Sequence, residues 1–440
     1  MPESINPQQL VNWFRHSAPY INAHRGHTFV VLFSGKAVAD PRFSSFIHDI
    51  ALLNSLGIKL CLVHGAREQI ETQLKAQHIE STIIDGLRVT DEATLQIVKQ
   101  TVGSVRMDIE AMLSMGIANS PMAGARIKVS SGNFITARPV GVKKGIDFAH
   151  TGEVRRIDTE SIRQNLDNNT IVLLSSIAYS PTGEIFSMSA EEVATSTAVQ
   201  LNADKIIYLS DSDEHSKSFF SHHQLNANEA CTLSKTQPES CIHLEYATHA
   251  IKNGVSRAHI IDREQDGSLL LELFTRDGVG VMVTADNYDV LRQATIDDIG
   301  GILELIEPLE IEGILVRRSR EKLETEINHY MVLERDGTII GCTALYAYPK
   351  EHVAELACLV IHPDYQKEGR GDHLLLTIEK QLRNSTINAL FVLTSRTAHW
   401  FQERGFQASD IGSLPIEKQA LYNLQRKSKV FIKTLGSIDV

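Results

Sequence analysis

The sequence predicts an α/β chain with two folded parts. The first is an open, mostly parallel sheet sandwiched by helices, and the second is a smaller α+β domain. Three observations lead there. Short apolar runs alternate with helical patterns from Thr28 to Leu209, the rhythm of a parallel sheet covered on both faces. A polar stretch, Ala285-Asp-Asn-Tyr-Asp289, interrupts that rhythm. Beyond it, the apolar run Leu356–Ile361 leads to a glycine-bearing loop that opens directly into an amphipathic pattern. A chain of 440 residues can supply two to three domains and ample core.

The elements follow in order. Residues 6–20 read as a helix: Asn6 can cap it, Pro7 suits the first turn, and Leu10, Val11 and Phe14 share a face. The clearest strands are Thr28–Phe33, Lys59–Val63, Thr170–Leu174 and Lys205–Leu209. Helical periodicity fills Phe43–Leu56, Arg67–Gln77, Asp91–Ser114 and Ala190–Leu201. Residues 211–240, rich in Ser, His, Asn and Glu, read as a loop or a ragged insertion. A helix over 243–254 follows, then strands near His259–Asp262 and Leu269–Phe274. Thr295 caps a helix through Leu305, with Asp298 as the acid of a capping box. The expected division is an N-terminal helix (1–20), a first domain (21–284), a linker (285–291) and a second domain (292–440).

A net charge of −11 argues against nucleic acid as the main partner and suits an enzyme of small metabolites. The five cysteines are odd in number and scattered, which points away from a disulfide framework and toward a reducing cytoplasm. No signal-peptide pattern is visible and no apolar run reaches the length of a membrane span. The scatter His215, His222, His223, Cys231, Cys241, His243 and His249 lacks zinc-ligand pairing, so no metal is expected.

The loop Gln366-Lys-Glu-Gly369-Arg370-Gly371 sits between an apolar strand and the helical pattern Leu374-Leu375-Leu376-Ile378-Leu382. Backbone N–H groups there can converge on an anion, helped by the helix dipole. The glycine pair alone equally fits a tight turn that needs positive φ. Downstream come the strand Leu390–Leu393 and the aromatic segment Thr397–Phe406, which ends in Gly405-Phe406. Together, from Leu291 to the C-terminus, these residues resemble the GNAT acetyltransferases. That resemblance implies a splayed mixed sheet, with acetyl-CoA in the gap and its pyrophosphate on the loop. Leu359, Val360, Ile361, Gln366, Gly369, Arg370 and Gly371 would then bind the cofactor.

The first half resembles the amino-acid kinase fold, acetylglutamate kinase in particular, over roughly 20–283. Val63-His64-Gly65, Gly86-Leu-Arg88-Val-Thr90-Asp91 and Leu201-Asn-Ala-Asp204-Lys205 carry the likeness. The phosphate loops depart from it: Phe33-Ser34-Gly35-Lys36 replaces the first glycine loop and Gly65-Ala66-Arg67 the second. Phosphoryl transfer depends on positioning and charge neutralisation, so this domain reads as degenerate and regulatory. The two halves in this order are similar to the bacterial N-acetylglutamate synthases. Arg292–Ile306, Gly313–Arg320 and Tyr422–Lys429 carry that likeness. It implies acetyl transfer from acetyl-CoA to the α-amine of L-glutamate, the first step of arginine biosynthesis, with feedback by L-arginine.

On that reading the amine needs a base, and Glu355, in Ala354-Glu355-Leu356, sits on the strand leading to the loop. A carboxylate among apolar residues suits a base working near neutrality. The oxyanion needs a donor, for which the resemblance offers a backbone N–H from Cys358 to Val360. The Cys358 thiol itself is not expected to act as a nucleophile. Thr394 matches the position that assists the leaving thiolate. Two substrate carboxylates call for cationic forks. The resemblance places Arg318 and Arg426 there, assisted by Ser428, and leaves Arg317 and Arg320 as surface charge. In the first domain, Glu272, Gly278 and Gly280 resemble an arginine site, with Glu272 facing the guanidinium. The N-terminal helix, with Tyr20, resembles one that joins subunits into a hexamer. Two alternatives stay open: an acetylglutamate kinase-like phosphotransferase, and an amino-acid-sensing protein lysine acetyltransferase.

Overall fold

The computed structural model describes residues 7–116, 122–211, 223–236, 242–275, 278–285, 289–335, 337–366, 369–383, 385–420 and 428–435. The chain forms two compact units, Met1–Asp286 and Asn287–Val440.

The first unit opens with α1 (Pro7–His24), which runs past the expected end at residue 20. Its last turn is anchored from a distance, since His24 Nε2 lies 2.8 Å from the Leu273 carbonyl. The strands are β1 (Thr28–Phe33), β2 (Lys59–His64), β3 (Lys128–Ser130), β4 (Thr170–Ser175), β5 (Lys205–Ser210), β6 (Gln224–Asn226), β7 (Arg257–Asp262) and β8 (Val281–Thr284). They form one sheet in the order β6-β8-β7-β5-β1-β2-β4-β3. The pairs from β7 to β3 are parallel, and β8 runs antiparallel to β7. Alternate residues feed two cores: Val30, Leu32, Cys61 and Val63 pack on one face, and Phe29, Val31, Phe33, Leu60 and Leu62 on the other. Burial on both faces is why these strands read as continuous apolar runs.

The covering helices include α2 (Phe43–Ser55), α3 (Arg67–Ala76), α4 (Glu92–Leu113), α5 (Ala190–Leu201), α6 (Ala227–Thr236), α7 (Ile242–Lys252) and α8 (Ser268–Phe274). Two of these differ from expectation. Leu269–Phe274 is not a strand but most of α8. Gly267, at φ +70°, starts it, and the buried positions Leu269 and Leu273 are four apart, a helical spacing. A run of unbranched leucines has helix propensity, which its length alone concealed. The expected loop 211–240 contains β6 and α6. Asn226 Oδ1 accepts from Glu229 N–H at 2.9 Å while Glu229 Oε2 accepts from Asn226 N–H at 2.9 Å. This reciprocal cap, Asn-x-x-Glu, was legible in the sequence. A separate four-stranded sheet, in the order Ile185–Ser187, Ile177–Tyr179, Ile135–Pro139, Gly152–Ile157, was not. Its short strands come from separated segments and carry little periodicity.

The second unit starts inside the expected linker, with β9 (Val290–Gln293). Asp289 anchors that start, with Arg335 Nε at 2.7 Å and Arg370 Nε at 2.6 Å. Thr295 and Asp298 form the expected capping box, on a 3-10 turn that leads into α9 (Ile299–Ile311). Then come α10 (Arg320–Glu326), β10 (Tyr330–Arg335), β11 (Thr338–Tyr348), β12 (Val353–Ile361), α11 (Arg370–Leu382), β13 (Ala389–Thr394), α12 (Ala398–Gln402), β14 (Gln407–Ser409), α13 (Ile416–Ala420) and β15 (Lys429–Thr434). The sheet order is β9-β10-β11-β12-β13-β15-β14. Only the β12–β13 pair is parallel; the others are antiparallel. Among the described residues no helix is long and apolar enough to cross a membrane.

Candidate active site

The parallel pair at the centre of the second sheet makes the site. β12 and β13 are in register only at Val353–Glu355 against Ala389–Phe391. Beyond that the strands part. On its other edge β12 stays paired with β11, but its register slips between Cys342 and Ala344. The slip is a bulge. Cys358 carries the extra residue with φ +53°, a left-handed conformation that non-glycine residues seldom take. Such a kink re-aims backbone groups, here along the β12 edge that β13 has left.

A cleft of about 880 Å³ opens at the parting. Its walls include Glu355, Cys358, Leu359, Val360, Ile361, Gln366, Thr394, Arg318 and Ser428. The fold therefore brings together residues as far apart in the sequence as Arg318 and Ser428. Arg426 lies outside the described residues.

Glu355 is 5 % exposed. Lys418 on α13 places its Nζ 2.7 Å from Glu355 Oε2. Among the described residues Oε2 makes no hydrogen bond, and even the Lys418 contact has the distance of one without its angles. The ammonium pairs with the carboxylate, and a carboxylate is the form that can accept a proton. Glu355 is thus not surrounded by apolar groups alone, as its flanking residues suggested. Tyr348 on β11 also lines the cleft; burial, then the Glu355 charge, push its phenol up to about 12, so it stays protonated.

Thr394 ends β13 at 8 % exposure. Its Oγ1 accepts from the N–H groups of Arg396 (3.3 Å) and Thr397 (3.1 Å) and lies 2.9 Å from Thr397 Oγ1. With its lone pairs so used, the hydroxyl has a proton to donate, to Thr397 or into the cleft. Arg318 follows α9. Its N–H donates to Glu310 Oε1 at 2.9 Å and its Nη1 to the Val316 carbonyl at 3.1 Å. Among the described residues no carboxylate makes a salt bridge with its guanidinium. Arg320, in contrast, is exposed and paired with Glu324 at 3.0 Å, as surface charge is. Cys342 Sγ approaches the Cys358 carbonyl at 3.7 Å, and both cysteines are buried in the α9 core, so Cys358 packs as a small apolar residue.

At the glycine loop the expected residues divide by role. Gly369 starts α11 at φ +73° with open space around it, so its glycine is required by conformation. Gly371 is set by close packing: a Cβ there would lie 3.1 Å from the Trp400 ring, which would have to give by a few tenths of an ångström. The Arg370 side chain does not reach for an anion. It is buried, donating to Asp289 and to the Tyr365 carbonyl at 2.9 Å, which leaves only its backbone N–H for the loop. Gln366 Nε2 donates to the Ile361 carbonyl at 3.1 Å and closes the turn between strand and loop.

In the first unit Glu272, on α8, is buried. Its Oε1 lies 2.6 Å from His259 Nδ1, and its Oε2 accepts from Val279 and Gly280 N–H, both at 2.8 Å. The carboxylate expected to face a ligand is thus engaged within the domain, where it shapes the turn through Gly278 (φ +64°) and Gly280. Burial, then the Lys205 charge, lower His259, while its bond to Glu272 works the other way. His259 Nε2 is buried without a partner among the described residues. Tyr20 lies on α1, which packs on α8.

The phosphate-loop region holds a cleft of about 240 Å³ lined by Ser34, Gly35, Gly65, Arg67 and Glu68. Glu68 Oε2 is only 2.7 Å from the position a Gly35 Cβ would take, so a carboxylate occupies the loop. Lys36 is drawn aside to Asp211 at 3.3 Å. An acid where phosphate would sit opposes phosphate binding. Of the His/Cys scatter, His215, His222 and Cys241 lie outside the described residues. Among the described residues no group of three or more His, Cys, Asp or Glu is placed to hold a metal.

The chain resembles known proteins in both halves. Residues 27–262 match the amino acid kinase family, and residues 301–406 match the acetyltransferase (GNAT) family. It is similar to the amino-acid acetyltransferase of Azotobacter vinelandii, with 50 % identity covering 97 % of this chain and 100 % of that one. The amino-acid acetyltransferase of Pseudomonas fluorescens Pf0-1 gives the same figures. Among solved structures, N-acetylglutamate synthase from Neisseria gonorrhoeae complexed with coenzyme A and L-arginine is 37 % identical. It matches with a TM-score of 0.88, covering 97 % of this chain and 99 % of that one.

Proposed function

The chain belongs to the amino-acid acetyltransferase family, and we propose that its cleft transfers acetyl from acetyl-CoA to the α-amine of L-glutamate, giving N-acetyl-L-glutamate and CoA. The observation that carries this reading is the bulge at Cys358 in the parted β12, with Glu355 three residues before it in the same cleft. The similar gonococcal synthase is described in complex with coenzyme A and L-arginine, and with coenzyme A and N-acetyl-glutamate.

The steps follow from the geometry. Glu355 takes a proton from the substrate ammonium, leaving a neutral amine. The nitrogen lone pair attacks the thioester carbonyl, forming the C–N bond. The developing oxyanion is met by a backbone N–H of the Cys358–Val360 segment. The intermediate then collapses, the C–S bond breaks, and CoA leaves as a thiolate that takes up the second proton shed by the now positively charged nitrogen, while Glu355 returns the first to solvent. Thr394 is placed to hydrogen-bond that sulfur. The pyrophosphate of CoA lies at the N-terminus of α11, where Gly369 exposes backbone N–H groups. Arg318 takes one substrate carboxylate, and Arg426 with Ser428 the other. The deciding assay is release of CoA thiol with glutamate against the other amino acids; acetylation of a protein lysine without glutamate dependence would overturn the reading.

Regulation rests on the first unit. Arginine binds near Glu272, Gly278, Gly280 and Tyr20 and inhibits turnover. It can do so only by binding two states of the assembly unequally. Because Glu272 organises the Val279–Gly280 turn, Glu272→Gln is expected to weaken arginine binding about tenfold or more and to shift the inhibition curve equally. Calorimetric titration beside the thiol assay measures both, and undiminished binding would place the site elsewhere.

Assembly is assigned to α1. Its Val11, Trp13 and Phe14 are 42 %, 49 % and 62 % exposed, an apolar surface suited to a second copy of the chain. The expected assembly is a hexamer. Deleting residues 1–20 is expected to lower the sedimentation coefficient and blunt arginine inhibition together. The free Cys61, Cys231, Cys342 and Cys358 suit a reducing cytoplasm.

A further inference from the structure

The Glu355–Lys418 contact lies inside the reacting cleft. Glu355 must receive the substrate ammonium, yet in the structure an ammonium is already there, 2.7 Å from Oε2. Both side chains line the cleft, Glu355 nearly enclosed and Lys418 23 % exposed. Two ammonium groups within contact of one carboxylate oxygen repel each other, so the substrate ammonium takes up Oε2 only as Lys418 leaves it. Nor can Glu355 be left alone, because a buried carboxylate without a partner is costly. The two conditions are met together if Lys418 is exchanged for the substrate.

Where Lys418 goes is set by the chemistry of the ligand. In an α-amino acid the carboxylate is one carbon from the amine. A lysine displaced from Glu355 by the amine therefore meets that carboxylate without leaving the cleft. Its anchorage permits the move: α13 is a single short turn of helix, Ile416–Ala420, and the lysine reaches the site on a flexible stem. The turn itself is held, since Gln419 Nε2 donates to the Leu414 carbonyl at 2.7 Å and Lys418 N–H donates to the Pro415 carbonyl at 2.9 Å. Tyr348, which also lines the cleft and feels the Glu355 charge, stays protonated and adds no charge of its own.

We propose that Lys418 is a positioning residue that keeps Glu355 paired in the empty cleft and passes to the substrate α-carboxylate, sharing it with the arginine that holds it, as the α-amine arrives, so that the cleft selects α-amino acids over simple amines. This rests on the glutamate reading above and deepens it. A primary amine that lacks an α-carboxylate displaces Lys418 without offering it a partner, and so binds poorly. The exchange also moves Glu355 from one cation to another, so its charge is never left unpaired.

The test compares glutamate with 4-aminobutyrate, which keeps the amine and the distal carboxylate but lacks the α-carboxylate. Glutamate KM is measured by thiol release, and the 4-aminobutyrate inhibition constant by competition, in wild type, Lys418→Met, Lys418→Gln and Lys418→Arg. The two uncharged variants are expected to raise the KM for glutamate about tenfold or more, with the 4-aminobutyrate constant unchanged or lowered. Lys418→Arg should return the KM to within a few fold of wild type. Acetyl-CoA affinity by calorimetry reports that the fold is intact. An unchanged glutamate KM in both uncharged variants overturns the proposal. So does an equal rise in KM and in the 4-aminobutyrate constant, which would make Lys418 part of the scaffold. Wild-type turnover that does not depend on glutamate is a different failure, that of the underlying reading.

Discussion

Glu355→Gln is expected to lower kcat by about 100- to 10,000-fold while leaving acetyl-CoA affinity close to wild type. The substitution keeps the shape of the side chain and removes its basicity. The amine of glutamate is protonated near neutrality, so without an acceptor the attacking lone pair is rarely available. The residual rate comes from the small fraction of free amine, and it should rise as pH increases toward the ammonium's own ionisation. The check is the kcat profile between pH 7 and 10, with acetyl-CoA binding measured by calorimetry. Wild-type turnover in the variant across that range would remove Glu355 from the mechanism. Because Lys418 touches Glu355, the double variant Glu355→Gln/Lys418→Met should lose less than the product of the two single losses, as contacting residues do.

Arg318→Ala is expected to cost on the order of 2–5 kcal/mol in binding, because it leaves a substrate carboxylate desolvated and unpaired. The loss should fall mainly on the KM for glutamate, with kcat changed less. The structural ground is that among the described residues the guanidinium makes no salt bridge, although it lines a cleft facing Glu355 and Cys358. Such a cation awaits an anion from outside. Arg318→Lys should recover only part of the affinity, because a point charge does not reproduce a planar fork. Steady-state kinetics over a glutamate series will decide it. A variant that binds glutamate normally but loses acetyl-CoA would move Arg318 to the cofactor side.

Much of the scaffold was legible because local physics wrote it. The central strands of the first sheet are buried on both faces, so their sequence is apolar throughout. Asp91 caps α4 by accepting from Thr94 N–H at 2.8 Å, and Ser189 caps α5 by accepting from Glu192 N–H at 3.2 Å. Signals of this kind act within a few residues. The misreadings were of the opposite kind. Leu269–Phe274 carries apolar residues that suit either period, and only its packing at Leu269 and Leu273 selects the helix. The four-stranded sheet is built from short separated segments whose pairing no local pattern announces. The expected linker lost its end to β9, an edge strand with exposed or half-buried positions and hence no apolar run.

The site divides along the same line. Glu355, the strand that bears it and the glycine loop were found in the sequence because they are neighbours there, between Val353 and Gly371. The sequence by itself also determined that Gly369 would precede a helix and that Thr295 would cap one. Only the tertiary structure decided what those residues touch. It turned Arg370 inward to Asp289, set Gly371 against Trp400, and closed Glu272 onto His259 and the Val279–Gly280 turn. It also put Lys418 beside Glu355 across sixty-three positions (418 − 355). The reason is physical. A capping hydrogen bond or an apolar stripe is complete within one element, so its residues carry it wherever they occur. A charge pair between distant elements exists only after the sheet has closed and excluded water, and nothing in the run Ile416-Glu-Lys-Gln-Ala420 distinguishes its lysine from one in solvent.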